Sequence, residues 1–310
     1  MRHQFSPHLE SPHAVSGAMP VDAPRRMGRF AETRGTPALR RAYAWLCHWS
    51  PTVAARLAYR QLATPPRAPL GKWPLAVREQ VRTRREPCGA GELVVHEWGW
   101  GPAVLLVHGW GGNATHMGRM VAPLLAQGFR VIAFDGPAHG RSSGSTTDMV
   151  AFAGAVAAVA RRTGPLHAVI GHSFGAAMAL FAARDWGIDA RRMVLVSVFN
   201  HCNWFVEMFA QHAGLTPEVQ QRVRDLFVQR YSGRFDWHRM SVLEMARQAQ
   251  CPALLVHDEN DQEIPFAHGL AIAAALPAAQ FKATLGLGHH CVVRNPEVIR
   301  RVVAFLSEQE

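Results

Sequence analysis

The chain has 310 residues, of which 48% are hydrophobic and 18% charged. That balance excludes a mostly disordered or fibrous protein, and the length supports a large core without metal or disulfide staples. The formal net charge of +10 gathers at one end, since residues 1–100 hold 15 Lys or Arg against 7 Asp or Glu and leave only +2 for the rest.

Residues 1–36, rich in Pro, Ser, His and Arg without an apolar period, read as a flexible tail. Residues 37–74 read as a helical extension ending in a Pro-rich linker. Within it Ser50-Pro51 is a helix start, and VAARLAYRQLA is apolar nearly all round except for a stripe holding Arg56 and Arg60. Such a helix must cover something, and packing on the protein's own body is the expectation. The dispersed arginines lack aromatic interleaving, which disfavours nucleic acid; weak contact of these basic helices with a membrane surface stays an open reading.

From residue 75 onward, short apolar strands alternate with helical patterns. The strands are expected near 92–98, 103–107, 129–134, 166–170, 193–198, 253–257 and 280–285, and the helices near 115–127, 147–162, 174–186, 266–276 and 296–308. That order predicts an α/β fold: a mostly parallel, doubly wound sheet with helices on both faces. About 55 residues separate two of the strands, more than one crossover helix needs. This stretch, about 199–250, holds Trp204, Phe205, Met208 and Phe209, followed by a helix opened by Thr216-Pro217-Glu218, and is expected to form a small helical lid.

Four short segments carry chemistry. Gly171-His172-Ser173-Phe174-Gly175 follows an apolar strand and opens an Ala-rich helix. A serine on so tight a turn is exposed for attack, and glycines on either side relieve the crowding. Val107-His108-Gly109-Trp110-Gly111 also follows a strand. The backbone N–H groups of Trp110 and Phe174 are assigned to an oxyanion hole, and His108 to a hydrogen bond that fixes its loop. Asp258, Glu259 and Asp261 stand just past a third strand, where any of them could orient an imidazole. Gly286-Leu287-Gly288-His289-His290 puts a histidine at the same sheet edge. A metal site formed by His289, His290 and Cys291 is disfavoured, because adjacent ligands diverge and no fourth partner is visible.

With these segments in order, residues 92–306 resemble the α/β-hydrolase superfamily. The resemblance rests on HGWGG, FDGPAHGRSSG at 134–144, GHSFGA, HDENDQEIP and GLGHH. It implies Ser173 as nucleophile, His289 as base with His290 as a neighbour, and Asp261 as the acid, since the family's aspartate stands four positions before a proline, here Pro265. The implied activity is a serine hydrolase that cleaves esters, or thioesters, of small or medium apolar substrates without a cofactor. Acyl transfer, C–C bond hydrolysis, perhydrolysis and a non-catalytic binding role on the same fold are the competing expectations.

Five scattered cysteines without CxxC spacing point to a reducing compartment. With no long apolar run or export-type leader, a cytoplasmic location is expected.

Overall fold

The computed structural model describes residues 37–308, so the tail expected at 1–36 lies outside the described residues. The chain enters its sheet through β1 (Arg82–Cys88) and β2 (Gly91–Trp98). It continues through β3 (Ala103–Val107), β4 (Arg130–Phe134), β5 (Leu166–His172), β6 (Ala190–Val196), β7 (Ala253–Asp258) and β8 (Ala279–Thr284). The sheet order is β1-β2-β4-β3-β5-β6-β7-β8. β1 pairs antiparallel with β2 and β2 antiparallel with β4; every later pairing is parallel.

β1 escapes the sequence reading. RTRREPC has no apolar pattern, and its single buried residue is Glu86. Arg84 holds both Glu86 and Glu97, and Arg162 lies 3.9 Å from Glu86. An edge strand bonded on one side only tolerates such charge, and charge there blocks unwanted edge pairing.

The parallel strands read as unbroken apolar runs because both faces are covered. In β3, Leu105 and Val107 enter the core on one side with Phe152, Phe174 and Phe181, while Val104 and Leu106 enter the other with Met117, Val302 and Phe305. Each such fully buried aliphatic side chain contributes about 1.5–3 kcal/mol. The register brings the C-terminal ends of β5, β7 and β8 to one edge of the sheet.

The lid contains the helices Asn203–Ala213, Pro217–Arg230 and Val242–Arg247. Thr216 accepts from Val219 N and Pro217 occupies the first turn, as its sequence signature requires. The aromatic patch divides: Phe209 is buried in a cluster with the N-terminal helices, whereas Phe205 packs on Trp110 and Phe174.

Those N-terminal helices, Pro37–Trp49 and Pro51–Leu62, dock on the lid through Tyr43, Cys47, Ala54, Ala55, Ala58 and Leu62. Arg40 Nη1 donates to Gln211 O and His212 O, both at 3.2 Å, near the end of the first lid helix. Pro51 sits at the start of its helix, but the Ser50 hydroxyl makes no capping bond. Ser50 closes one helix as its amide bonds Leu46 O, and opens the next as its carbonyl accepts from Ala54 N.

Candidate active site

Ser173 sits between β5 and the helix Phe174–Trp186 at φ 55°, ψ −120°. A non-glycine residue held there is strained, and the surrounding structure must impose it. The flanking glycines show how. A Cβ on Gly171 would lie 2.4 Å from Ala176 Cα, and one on Gly175 would lie 2.4 Å from His108 O. The turn therefore closes only with hydrogen at both positions. Ser173 N bonds Val196 O at 2.8 Å, which ties the elbow to the end of the neighbouring strand.

The turn after β3 lies against this elbow. A Cβ on Gly109 would stand 3.3 Å from both Ser173 Cβ and His172 O, so the Trp110 peptide is brought beside the serine. Phe174 opens its helix, where a backbone N–H has no partner one turn back. The Trp110 ring packs on Phe174 at 5.0 Å and on Phe205 at 4.9 Å.

His108 is fully buried; its Nε2 accepts from Gly136 N at 2.9 Å and its Nδ1 bonds Gly109 O at 2.7 Å. Burial holds its pKa below the ordinary histidine range, more than Gly109 O and Asp135 raise it. A neutral imidazole that donates to one loop and accepts from another fixes both. The 134–144 segment is organised by Asp135, whose carboxylate accepts from Ala114 N at 2.9 Å and Arg141 N at 2.8 Å.

Of the acids at and just past the end of β7, Asp261 reaches the imidazole. Its Oδ2 is 2.8 Å from His289 Nδ1, and its Oδ1 accepts from Glu263 N at 2.8 Å and Ile264 N at 2.9 Å. Burial pushes the Asp261 carboxyl up, but the charge and hydrogen bond of His289, with the two amides, outweigh it and hold the pKa at about 2. Asp258 instead accepts from Leu287 N at 3.0 Å, Gly288 N at 2.9 Å and Thr284 Oγ1 at 2.8 Å. It shapes the loop that carries the histidine, and Glu259 is exposed.

His289 is buried, and its ring stands 4.9 Å from that of His172, whose Nε2 bonds His289 O at 2.9 Å. The residue preceding the serine thus anchors the histidine loop at the elbow. Ser173 Oγ itself makes no hydrogen bond among the described residues. Glu263 lies on the His289 Nε2 side at 3.6 Å and takes His290 Nε2 at 2.9 Å. Burial lowers the His289 pKa, yet the charge and bond of Asp261, with the charge of Glu263, carry it above the ordinary value. Sequence reasoning misses both His172 and Glu263. Their positions inside the elbow and two residues after Asp261 were the available signal.

A small cavity of about 20 Å3 lies beside Trp110, walled by Tyr59 and Leu62 of the N-terminal helix, Met149, and Phe205 and Phe227 of the lid. Its lining is almost wholly apolar, with Asp148 at the margin. Among the described residues no group of three or more His, Cys, Asp or Glu is placed to hold a metal ion.

Residues 102–212 match the family described as alpha/beta hydrolase fold. The chain is 26% identical over 265 residues to a non-heme haloperoxidase of Rhodococcus erythropolis, covering 70% of this chain and 96% of that one. It is 25% identical over 237 residues to pyrrolizixenacetamide deacetylase of Xenorhabdus hominickii, covering 64% and 88%. The esterase RhEst1 from Rhodococcus sp. ECU1013 superposes with a TM-score of 0.56 at 18% identity, over 74% of this chain and 100% of that one. This is an α/β-hydrolase-fold protein. In that fold the elbow, the acid turn and the histidine loop follow different strands, and this chain brings all three to the C-terminal edge of its sheet. No helix among the described residues is long and apolar enough to cross a membrane.

Proposed function

We propose that the protein is a serine hydrolase that cleaves carboxylic esters, and by the same route thioesters, of small or medium apolar substrates. The observation that carries this reading is the 2.8 Å contact between His289 Nδ1 and Asp261 Oδ2 at the edge where the strained Ser173 elbow stands. In this role Ser173 Oγ attacks the carbonyl carbon and its proton passes to His289 Nε2. Asp261, fully ionised at neutral pH, keeps the Nδ1 proton in place and stabilises the imidazolium. The backbone N–H groups of Trp110 and Phe174 receive the developing oxyanion. The protonated imidazole then hands its proton to the departing alcohol, leaving an acyl-serine. A water that loses its proton to His289 attacks that ester, and the released acid restores the Ser173 hydroxyl.

The apolar side chains around Trp110 favour an apolar acyl or alcohol group, because they offer little to pair a charged one.

The test is labelling by a fluorophosphonate probe followed by peptide mapping. Label on Ser173 that disappears in Ser173→Ala and is slowed in His289→Ala is the expected result. An unlabelled Ser173 alongside a labelled control esterase would refute the reading and favour a binding role on the same fold.

A further inference from the structure

The N-terminal helix pair carries two apolar faces, and among the described residues only the inner one, packed on the lid, is covered. On the outer side Trp45 is 62% exposed, Trp49 68%, Val53 43% and Leu57 44%. Trp45 and Trp49 stand one turn apart on the first helix, and Val53 and Leu57 one turn apart on the second, so each helix carries its own exposed apolar pair. The rings of Trp45 and Trp49 stand 6.4 Å apart. Two neighbouring indoles left in water are a patch that calls for a partner.

The surrounding charge is of one sign. Residues 37–78 contain seven Arg or Lys and no Asp or Glu. Arg40 and Arg67 are spent on backbone carbonyls. Arg41 stands one turn before Trp45, and Arg56 and Arg60 flank Leu57. All three are exposed, and none has an ion pair among the described residues.

We propose that this outer face docks on an anionic phospholipid bilayer, with Trp45, Trp49, Val53 and Leu57 entering the headgroup boundary and Arg41, Arg56 and Arg60 meeting lipid phosphates and carboxylates. Tryptophan suits that boundary because its ring is apolar while its N–H stays hydrated, and each guanidinium gains from the negative surface potential. A second copy of this chain would set an acid-free positive face against itself. Residues 1–36, with five Arg against three acids, offer no charge complement either. A nucleic acid would satisfy the arginines but not Val53 and Leu57. The same helices supply Tyr59 and Leu62 to the cavity beside Trp110, so docking would place the wall of that cavity at the lipid surface. The surface stands whether or not Ser173 turns over, because it shares no residue with the triad.

The test uses the full chain with vesicles of phosphatidylcholine, alone or mixed with phosphatidylserine. Sedimentation should show partitioning at least about tenfold stronger onto the mixed vesicles, weakening as salt is raised. Trp45→Glu/Trp49→Glu and, separately, Arg41→Glu/Arg56→Glu/Arg60→Glu should each cut that partitioning about tenfold or more. Since all five residues are exposed, unchanged circular dichroism and melting temperature would confirm folding in both variants. The proposal is overturned if the full chain binds neither vesicle, or if the tryptophan double variant binds like the parent. Light scattering that shows a dimer dissociated by the double variant would assign the face to a second copy. Retention on single-stranded RNA without vesicle binding would assign it to nucleic acid.

Discussion

Glu263 Oε2 lies 3.6 Å from His289 Nε2, the nitrogen opposite the one held by Asp261. The imidazole therefore stands between two carboxylates. His172 and His290 also face it, at ring distances of 4.9 Å and 5.1 Å, and His257 Nε2 lies 3.6 Å from Asp261 Oδ2, the same oxygen that holds His289. The carboxylates outweigh the neighbouring histidines and the burial, so His289 holds its proton above the ordinary histidine range. A charged His289 cannot accept the serine proton. The acid limb of kcat/KM should accordingly fall at a pH above the model-peptide histidine value of about 6.5.

Glu263→Gln removes one negative charge from the Nε2 side and should move that limb to lower pH. At mildly acidic pH the variant should react faster than the parent with an activated ester and with the fluorophosphonate. A profile that does not move would show that Glu263 serves only His290.

Asp258 at the end of β7 and Asp261 just past it have separable tasks. Asp261→Asn should lower kcat by about 10⁴, as should Ser173→Ala and His289→Ala. Asp258→Asn removes an acceptor that holds two amides and a hydroxyl of the histidine loop, so stability should suffer first, by about 1–3 kcal/mol. Thermal melts paired with steady-state kinetics distinguish them. Comparable kcat losses in both variants would count against Asp261 as the orienting acid.

Two glycines on either side of the helix Phe174–Trp186 permit a comparison. Gly171→Ala drives a Cβ into the Ala176 backbone, which cannot rotate away as a side chain could. A cost of about 3 kcal/mol and a clear drop in melting temperature are expected. Gly187→Ala at the other end of the helix meets no atom within 4 Å and disturbs only a left-handed C-cap. It should cost about 1 kcal/mol. Equal losses would mean that the elbow relaxes more readily than its contacts indicate.

Phe205 packs on both the Trp110 and the Phe174 rings and lines the cavity together with Trp110. Phe205→Ala should raise the ratio of kcat/KM for hexanoate over acetate aryl esters by about tenfold, the worth of one or two methylene contacts. An unaltered ratio would place the acyl chain elsewhere.

The parts of the fold and candidate site that sequence exposes are those where covalent geometry leaves little choice. Gly171 and Gly175 mark the elbow because no larger residue closes it, and the paired faces of β3 announce a sheet covered on both sides. β1 stays hidden because RTRREPC resembles a loop until Arg84 is seen to hold Glu86 and Glu97. Asp258 and Asp261 stand three residues apart, and only the path of the turn decides which meets His289. The part played by Glu263 depends on two loops whose meeting is a property of the whole sheet, and no local pattern encodes it.

Arg40 fastens the end of the first lid helix to the N-terminal pair. A truncation meant only to shorten the chain would release that clasp and also strip Tyr59 and Leu62 from the wall beside Trp110.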